Sequence, residues 1–288
     1  MAFFISDGLR FEYTSRGLGT TTFFFQHGIG GTQAQPLRFL NPFDREGSGT
    51  QRAFFQQVRL VTFDFRAHGR TPVGDPEKLR LDVFADDLVA LMSYLQVERA
   101  VLGGISMGAA VALNTALRYP ERCIALVLSR PAWLNGSMCP TAIAAYKEVI
   151  KCSEQEPSPE RALETLERSD IYGVIVRQSA DAGRSLLGQL RCVVSDPSFR
   201  AAVLARLHHL PSGQPDDDLQ RATAMDVPTL VLAAPGDPIH PLSYARELAT
   251  AIPGSTYIEL APKQVDDGQH VKEVNACLLR FLSDLRCA

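Results

Sequence analysis

With 288 residues, 45% of them hydrophobic and 21% charged, the chain can bury one large core and is short for two large domains. Its formal net charge of −3 is spread without a long basic or acidic run, which points away from nucleic acid and from an anionic membrane surface. No stretch reaches the roughly 20 apolar residues of a membrane helix, and the opening Met1-Ala2-Phe3-Phe4-Ile5 has no basic leader, so a cytoplasmic location is expected.

The early elements read as strands. Residues 9–13 alternate, and residues 21–26 form a compact β-branched and aromatic run. Gly28-Ile29-Gly30-Gly31 ends that run, and polar residues 41–51 read as a surface loop. A strand is expected over 60–65, closed by Ala67-His68-Gly69-Arg70. Phe84, Leu88, Leu91, Met92 and Leu95 then fall at helical spacing. Residues 101–105 read as a strand, 107–119 as a helix rich in small side chains that stops before Pro120, and 124–128 as a strand. Apolar runs separated by amphipathic helices imply an α/β fold, a mostly parallel sheet with helices on both faces.

Residues 135–220 break this rhythm. They hold Ala-, Leu- and Arg-rich helical stretches between loops at 153–160 and 211–218, and read as a helical insertion. The core is therefore expected in two parts, 1–134 and 221–288. In the second part, strands are expected at 229–233 and 256–260, a helix near 244–251, and a last helix with Val271, Val274, Leu278, Phe281 and Leu285 on one face. The six cysteines are scattered and form no Cys-x-x-Cys pair, so free thiols are expected, with Cys123 a small core residue.

Gly104-Ile105-Ser106-Met107-Gly108 matches G-x-S-x-G. Alone this is modest, but here it follows an apolar strand and opens a helix of small residues. A serine held at a tight strand-to-helix turn projects its hydroxyl above the sheet, and side chains two positions away would collide with neighbouring backbone. A serine nucleophile needs a base. His270, between the last strand and the last helix, lies at the carboxyl edge of the sheet and is the expected base. His240 is its rival, being close in sequence to Asp237. His27 and His68 flank glycines in sharp turns and are expected to be structural; His208 and His209 read as a solvent-facing pair. Asp237, in Pro235-Gly236-Asp237-Pro238 beyond a strand, is the expected acid. The backbone N–H groups of Ile29 and Met107 are the expected oxyanion donors, with Gly28 beside the substrate. Trp133 and Leu134 either line the pocket or pack beneath the insertion.

Four motifs appear in one order: His27-Gly28 after a strand, Asp64-Phe65-Arg66-Ala67-His68-Gly69-Arg70-Thr71, the turn at Ser106, and Gly236-Asp237 followed by the late His270. In this the chain resembles the α/β-hydrolase superfamily over nearly its whole length. Ala67 and Thr71 stand where the family's D-x-R-G-H-G-x-S turn has glycine and serine. The resemblance implies a sheet of about eight strands, a helical cap after the sixth, and no metal or organic cofactor. The expected activity is hydrolysis of an ester, lactone or related small acyl substrate, with a hydrophobic acyl or aromatic group one reading. Carbon–carbon hydrolysis, acyl transfer to an alcohol, and a non-catalytic receptor remain alternatives on the same site.

Overall fold

The computed structural model describes residues 2–40, 56–216 and 219–285; the loop expected at 41–51 lies outside them. Eight strands form one sheet: β1 Ala2–Ser6, β2 Leu9–Arg16, β3 Thr21–Gln26, β4 Val58–Phe63, β5 Ala100–Ile105, β6 Cys123–Ser129, β7 Thr229–Ala233 and β8 Thr256–Glu259. Their spatial order is β1-β2-β4-β3-β5-β6-β7-β8. β2 pairs antiparallel with β1 and β4, and every pairing from β4 to β8 is parallel. The first strand was not anticipated. It joins β2 through Asp7 and Gly8, both at positive φ (49° and 74°), the backbone that a two-residue hairpin turn requires.

Every residue of β5 and of β7 is buried, which is why both read as unbroken apolar runs rather than alternating ones. β3 shows the underlying period of two. Phe24 joins the core on one face of the sheet, while Phe23 and Phe25 join the core on the other. The first core is completed by α1 (Leu81–Tyr94) and α2 (Met107–Arg118), and includes Leu88, Leu91 and Met92. The second is closed by the last helix, Asp267–Asp284, through Val274, Leu278 and Leu282.

Five helices stand between β6 and β7: α3 Pro140–Gln155, α4 Pro159–Arg168, α5 Asp170–Gln178, α6 Ala180–Ser195 and α7 Pro197–His209. Their starts are written in the sequence. Ser158, Ser169, Ser179 and Asp196 accept hydrogen bonds from backbone N–H groups of the first turns of α4 to α7. Each such cap contributes about 1 kcal/mol. Helix α3 runs to Gln155, so the loop expected from residue 153 begins later. After β7 come α8 (Leu242–Ala251) and, beyond β8, α9 (Asp267–Asp284). The five described cysteines, Cys123, Cys139, Cys152, Cys192 and Cys277, are free thiols, and Cys123 is buried. Among the described residues, no helix is long and apolar enough to cross a membrane.

Candidate active site

Ser106 sits between β5 and α2 with φ 56° and ψ −108°, a conformation that a non-glycine residue adopts only under strain. The flanking glycines make this turn feasible. A Cβ on Gly104 would stand 2.4 Å from the Gly108 carbonyl carbon, and one on Gly108 would stand 2.5 Å from the Gln26 carbonyl oxygen. No side chain fits either place, as the motif implies. Met107 is the first residue of α2, so its N–H lies at the helix end where no intrahelical acceptor exists.

The imidazole at the Ser106 hydroxyl is that of His240. The Ser106 hydroxyl and His240 Nε2 are 2.9 Å apart, and His240 Nδ1 and Asp237 Oδ2 are also 2.9 Å apart. In the tautomer that satisfies both contacts, the hydroxyl donates to Nε2 and the Nδ1–H donates to the carboxylate. The local chain explains the fit. Asp237 Oδ1 accepts the N–H groups of Ile239 (3.0 Å) and His240 (3.2 Å), folding the Asp-Pro-Ile-His segment back on its own carboxylate.

His270, the base expected from sequence order, is placed otherwise. It lies in the first turn of α9, fully buried; its Nδ1–H donates to the Ala261 carbonyl at 2.9 Å, and its ring meets Phe39 edge-on. Its Nε2 has no hydrogen-bond partner. Both histidines follow Asp237 in the chain, so order alone could not separate them. The signal that could have done so is the three-residue spacing of Asp237 and His240 on one side of a tight turn.

Arg130, which sequence reasoning missed, completes the cluster. It follows β6 at positive φ (49°), and its Nη2 donates to Asp237 Oδ2 while standing 3.2 Å from His240 Nδ1. Burial opposes ionisation of Asp237, but the neighbouring His240 and Arg130 prevail and hold its carboxyl far below the usual carboxylate range. Burial lowers the pKa of His240; Asp237 opposes this, and the Arg130 cation adds to the lowering. The ring is therefore kept neutral, the state a base requires.

The loop after β3 faces Ser106. A Cβ on Gly28 would lie 3.2 Å from Ser106 Cβ, so only glycine leaves room for a reacting group. The loop is pinned from several sides. Gly28 N–H donates to Gln35 Oε1 (2.8 Å), and His27 Nδ1–H donates to the Gly28 carbonyl (2.9 Å) while His27 Nε2 accepts the Phe65 N–H (3.1 Å). Asp64, in the second motif, accepts the Gln33 N–H at 2.6 Å, and Thr71 Oγ1 donates to the Asp64 carbonyl at 2.8 Å. Ala67 takes the position of the usual glycine at φ 60°. His27 and His68 are thus structural and fully buried, and burial pushes His27 down to about 4. Arg206 on α7 bridges the helical block to this region, donating to the Ala67 carbonyl (3.0 Å) and to Gln189 Oε1 (2.7 Å).

A cavity of about 280 Å³ opens at Ser106 and His240. Gly28 and Ile29 line it from the β3 loop, Tyr146, Asp181, Arg184 and Leu186 from the helical block, and Arg130 and Lys263 from the sheet edge. Trp133 and Leu134 do not line it. Trp133 is 1% exposed in the core, and Leu134 borders a separate cavity with Met138 and Tyr244. They follow the end of β6 by four and five residues, enough to carry them under the helices and away from Ser106. His208 is exposed, as expected of that pair, and His209 is half-buried. Among the described residues, no group of three or more His, Cys, Asp or Glu side chains is gathered as a metal ion would need.

The family profile described as the alpha/beta hydrolase fold matches residues 21–146, which contain the loop after β3, the Asp64 turn and the Ser106 turn. Over those residues the chain is similar to the α/β-hydrolase family. RutD of Klebsiella pneumoniae, assigned as a carbamate hydrolase, is 27% identical over 208 residues, 72% of this chain and 74% of its own. The 2-hydroxy-6-oxo-6-phenylhexa-2,4-dienoate hydrolase of Comamonas testosteroni is 29% identical over 195 residues, 67% of this chain and 66% of its own. The crystal structure of the enol-lactonase from Burkholderia xenovorans LB400 superposes with a TM-score of 0.69 over the full length of both chains, at 18% identity, and shares the fold.

Proposed function

We propose that the chain is a serine hydrolase that cleaves an ester or lactone through an acyl-enzyme on Ser106, with His240 as general base and Asp237 as its orienting acid. The observation that carries this reading is the unbroken relay from the Ser106 hydroxyl through both ring nitrogens of His240 to Asp237, with 2.9 Å at each step. The names of the relatives, a carbamate hydrolase and an enol-lactonase, are consistent with attack on an acyl carbon bearing a heteroatom leaving group.

His240 Nε2 takes the hydroxyl proton as Ser106 Oγ bonds to the carbonyl carbon. The carbonyl π pair moves to oxygen, where the N–H groups of Ile29 and Met107 receive it. His240 then gives its proton to the departing oxygen as the carbon–oxygen bond breaks and the acyl-enzyme remains. Water repeats the sequence, losing a proton to His240, and the acid leaves as Ser106 recovers its hydrogen. Asp237 stays ionised throughout, stabilising the transient imidazolium. The helical block from 135 to 220 acts as a cap in this reading, supported by Tyr146 and Leu186, which line the cavity that holds Ser106.

The test combines covalent labelling and turnover. A fluorophosphonate should label the wild-type protein and leave Ser106→Ala unlabelled. Hydrolysis of para-nitrophenyl butyrate should fall by at least about 10³-fold in that variant. Label carried on another residue, or near-wild-type turnover by Ser106→Ala, would overturn the reading.

A further inference from the structure

The wall of the catalytic cavity is cationic. Arg130, Arg184 and Lys263 all border it, against two carboxylates, Asp181 and Asp237. With His240 neutral, the site carries one uncompensated positive charge. The pairings show where it lies. Lys263 and Arg184 share the single carboxylate of Asp181, Lys263 through Oδ2 and Arg184 through Oδ1 at 3.4 Å. Arg130 spends only Nη2 on Asp237, and its Nε is buried with no hydrogen-bond partner. A guanidinium paired to Asp237 through one nitrogen, and an ammonium paired only through a shared carboxylate, give the cavity more positive charge than its two carboxylates match and favour an anion there.

We infer that the substrate carries a carboxylate close to its scissile acyl group, held by Arg130 and Lys263 with Arg184 at the mouth. This rests on the serine-hydrolase reading above and names the substrate class of that site. It adds a charged end to the hydrophobic acyl or aromatic group that was one reading of the sequence, because a wholly neutral group in this cavity would leave the extra cation unmatched. Part of the apolar lining, Ile29, Leu186 and Ile239, remains for the short chain between the two ends.

The experiment compares mono-para-nitrophenyl esters of glutaric and adipic acid with their methyl para-nitrophenyl diesters. Each pair shares a leaving group and nearly the same size, and spontaneous hydrolysis is subtracted. Butyrate esters of para-hydroxybenzoic acid and of its methyl ester place the charge on the leaving side instead. In the wild-type protein, one anionic ester should exceed its neutral partner in kcat/KM by about tenfold or more, as a charge-assisted hydrogen bond implies. Lys263→Met should lower that ratio, with the loss in KM more than in kcat, and Lys263→Arg should restore most of it. Anionic esters that are no better than their neutral partners, or a ratio unmoved by Lys263→Met, would overturn the inference. If the diesters are still hydrolysed through Ser106 in that case, the hydrolase reading stands and the anionic subsite alone has failed. If no ester is hydrolysed and Ser106 takes no label, the hydrolase reading fails first.

Discussion

Replacing each of the two candidate bases separately tests the central geometry. His240→Ala removes the group 2.9 Å from the Ser106 hydroxyl and leaves Asp237 with no imidazole to orient. General-base catalysis is worth about 10²–10⁴-fold, and removal of a triad histidine costs at least as much. A loss of about 10³-fold or more in kcat/KM is expected, equivalent to about 4 kcal/mol in the barrier. His270→Ala instead removes a buried ring whose one hydrogen bond runs to the Ala261 carbonyl. Losing that bond and opening a cavity beside Phe39 should lower stability by about 2–4 kcal/mol. Turnover per folded molecule should change by less than about tenfold. The assay measures kcat/KM on para-nitrophenyl butyrate, with active-site titration to count folded enzyme and urea denaturation to read stability. Added imidazole should partly rescue His240→Ala and leave His270→Ala unaffected. The opposite pattern, with His270→Ala inactive and His240→Ala competent, would refute the assignment of the base.

The acid limb of the kcat/KM profile should have its midpoint below the ordinary histidine value of about 6.5, because burial and the Arg130 cation both disfavour protonated His240. Arg130→Met should move that midpoint to higher pH, and a midpoint that stays or falls would contradict the electrostatic role given to Arg130. Asp237→Asn should cost about 10⁴-fold in kcat with the fold intact, read by kinetics beside circular dichroism. Gly104→Ala should destabilise the protein by about 3 kcal/mol or more, because the added methyl meets Gly108 backbone at 2.4 Å and not a movable side chain. Wild-type thermal stability in that variant would show that the close approach is not real. Buried His27 titrates near 4 in the folded state but near 6.5 when unfolded, so between those values the unfolded chain binds more protons. Its contribution is present above about pH 6.5 and falls by about 3 kcal/mol as pH drops to about 4. In His27→Gln, the dependence of unfolding free energy on pH across that window should be visibly shallower.

The division of labour between sequence and structure can be followed in particular residues. The β3, β5, β6 and β7 runs were legible because parallel strands covered on both faces must be continuously apolar. Ser106 was legible because its turn needs glycine at 104 and 108, and such steric demands act over a few residues and leave a local pattern. The β1 hairpin was not, since its short strand offers only Phe4 to the core, a weak alternation. His240 and His270 sat at equivalent places in chain order, and only the fold puts one ring against the Ser106 hydroxyl and the other against the Ala261 carbonyl. Arg130, Lys263 and Asp181 had no motif at all. They meet only because the end of β6, the loop after β8 and the start of α6 converge on one rim of the sheet. Composition, periodicity and steric necessity thus determined the architecture and the strained turn at Ser106 from the chain alone. Which imidazole meets the Ser106 hydroxyl and what charge the pocket carries depend on contacts between segments 82 to 134 residues apart. Such contacts place no constraint on neighbouring residues, and only the folded backbone brings them into being.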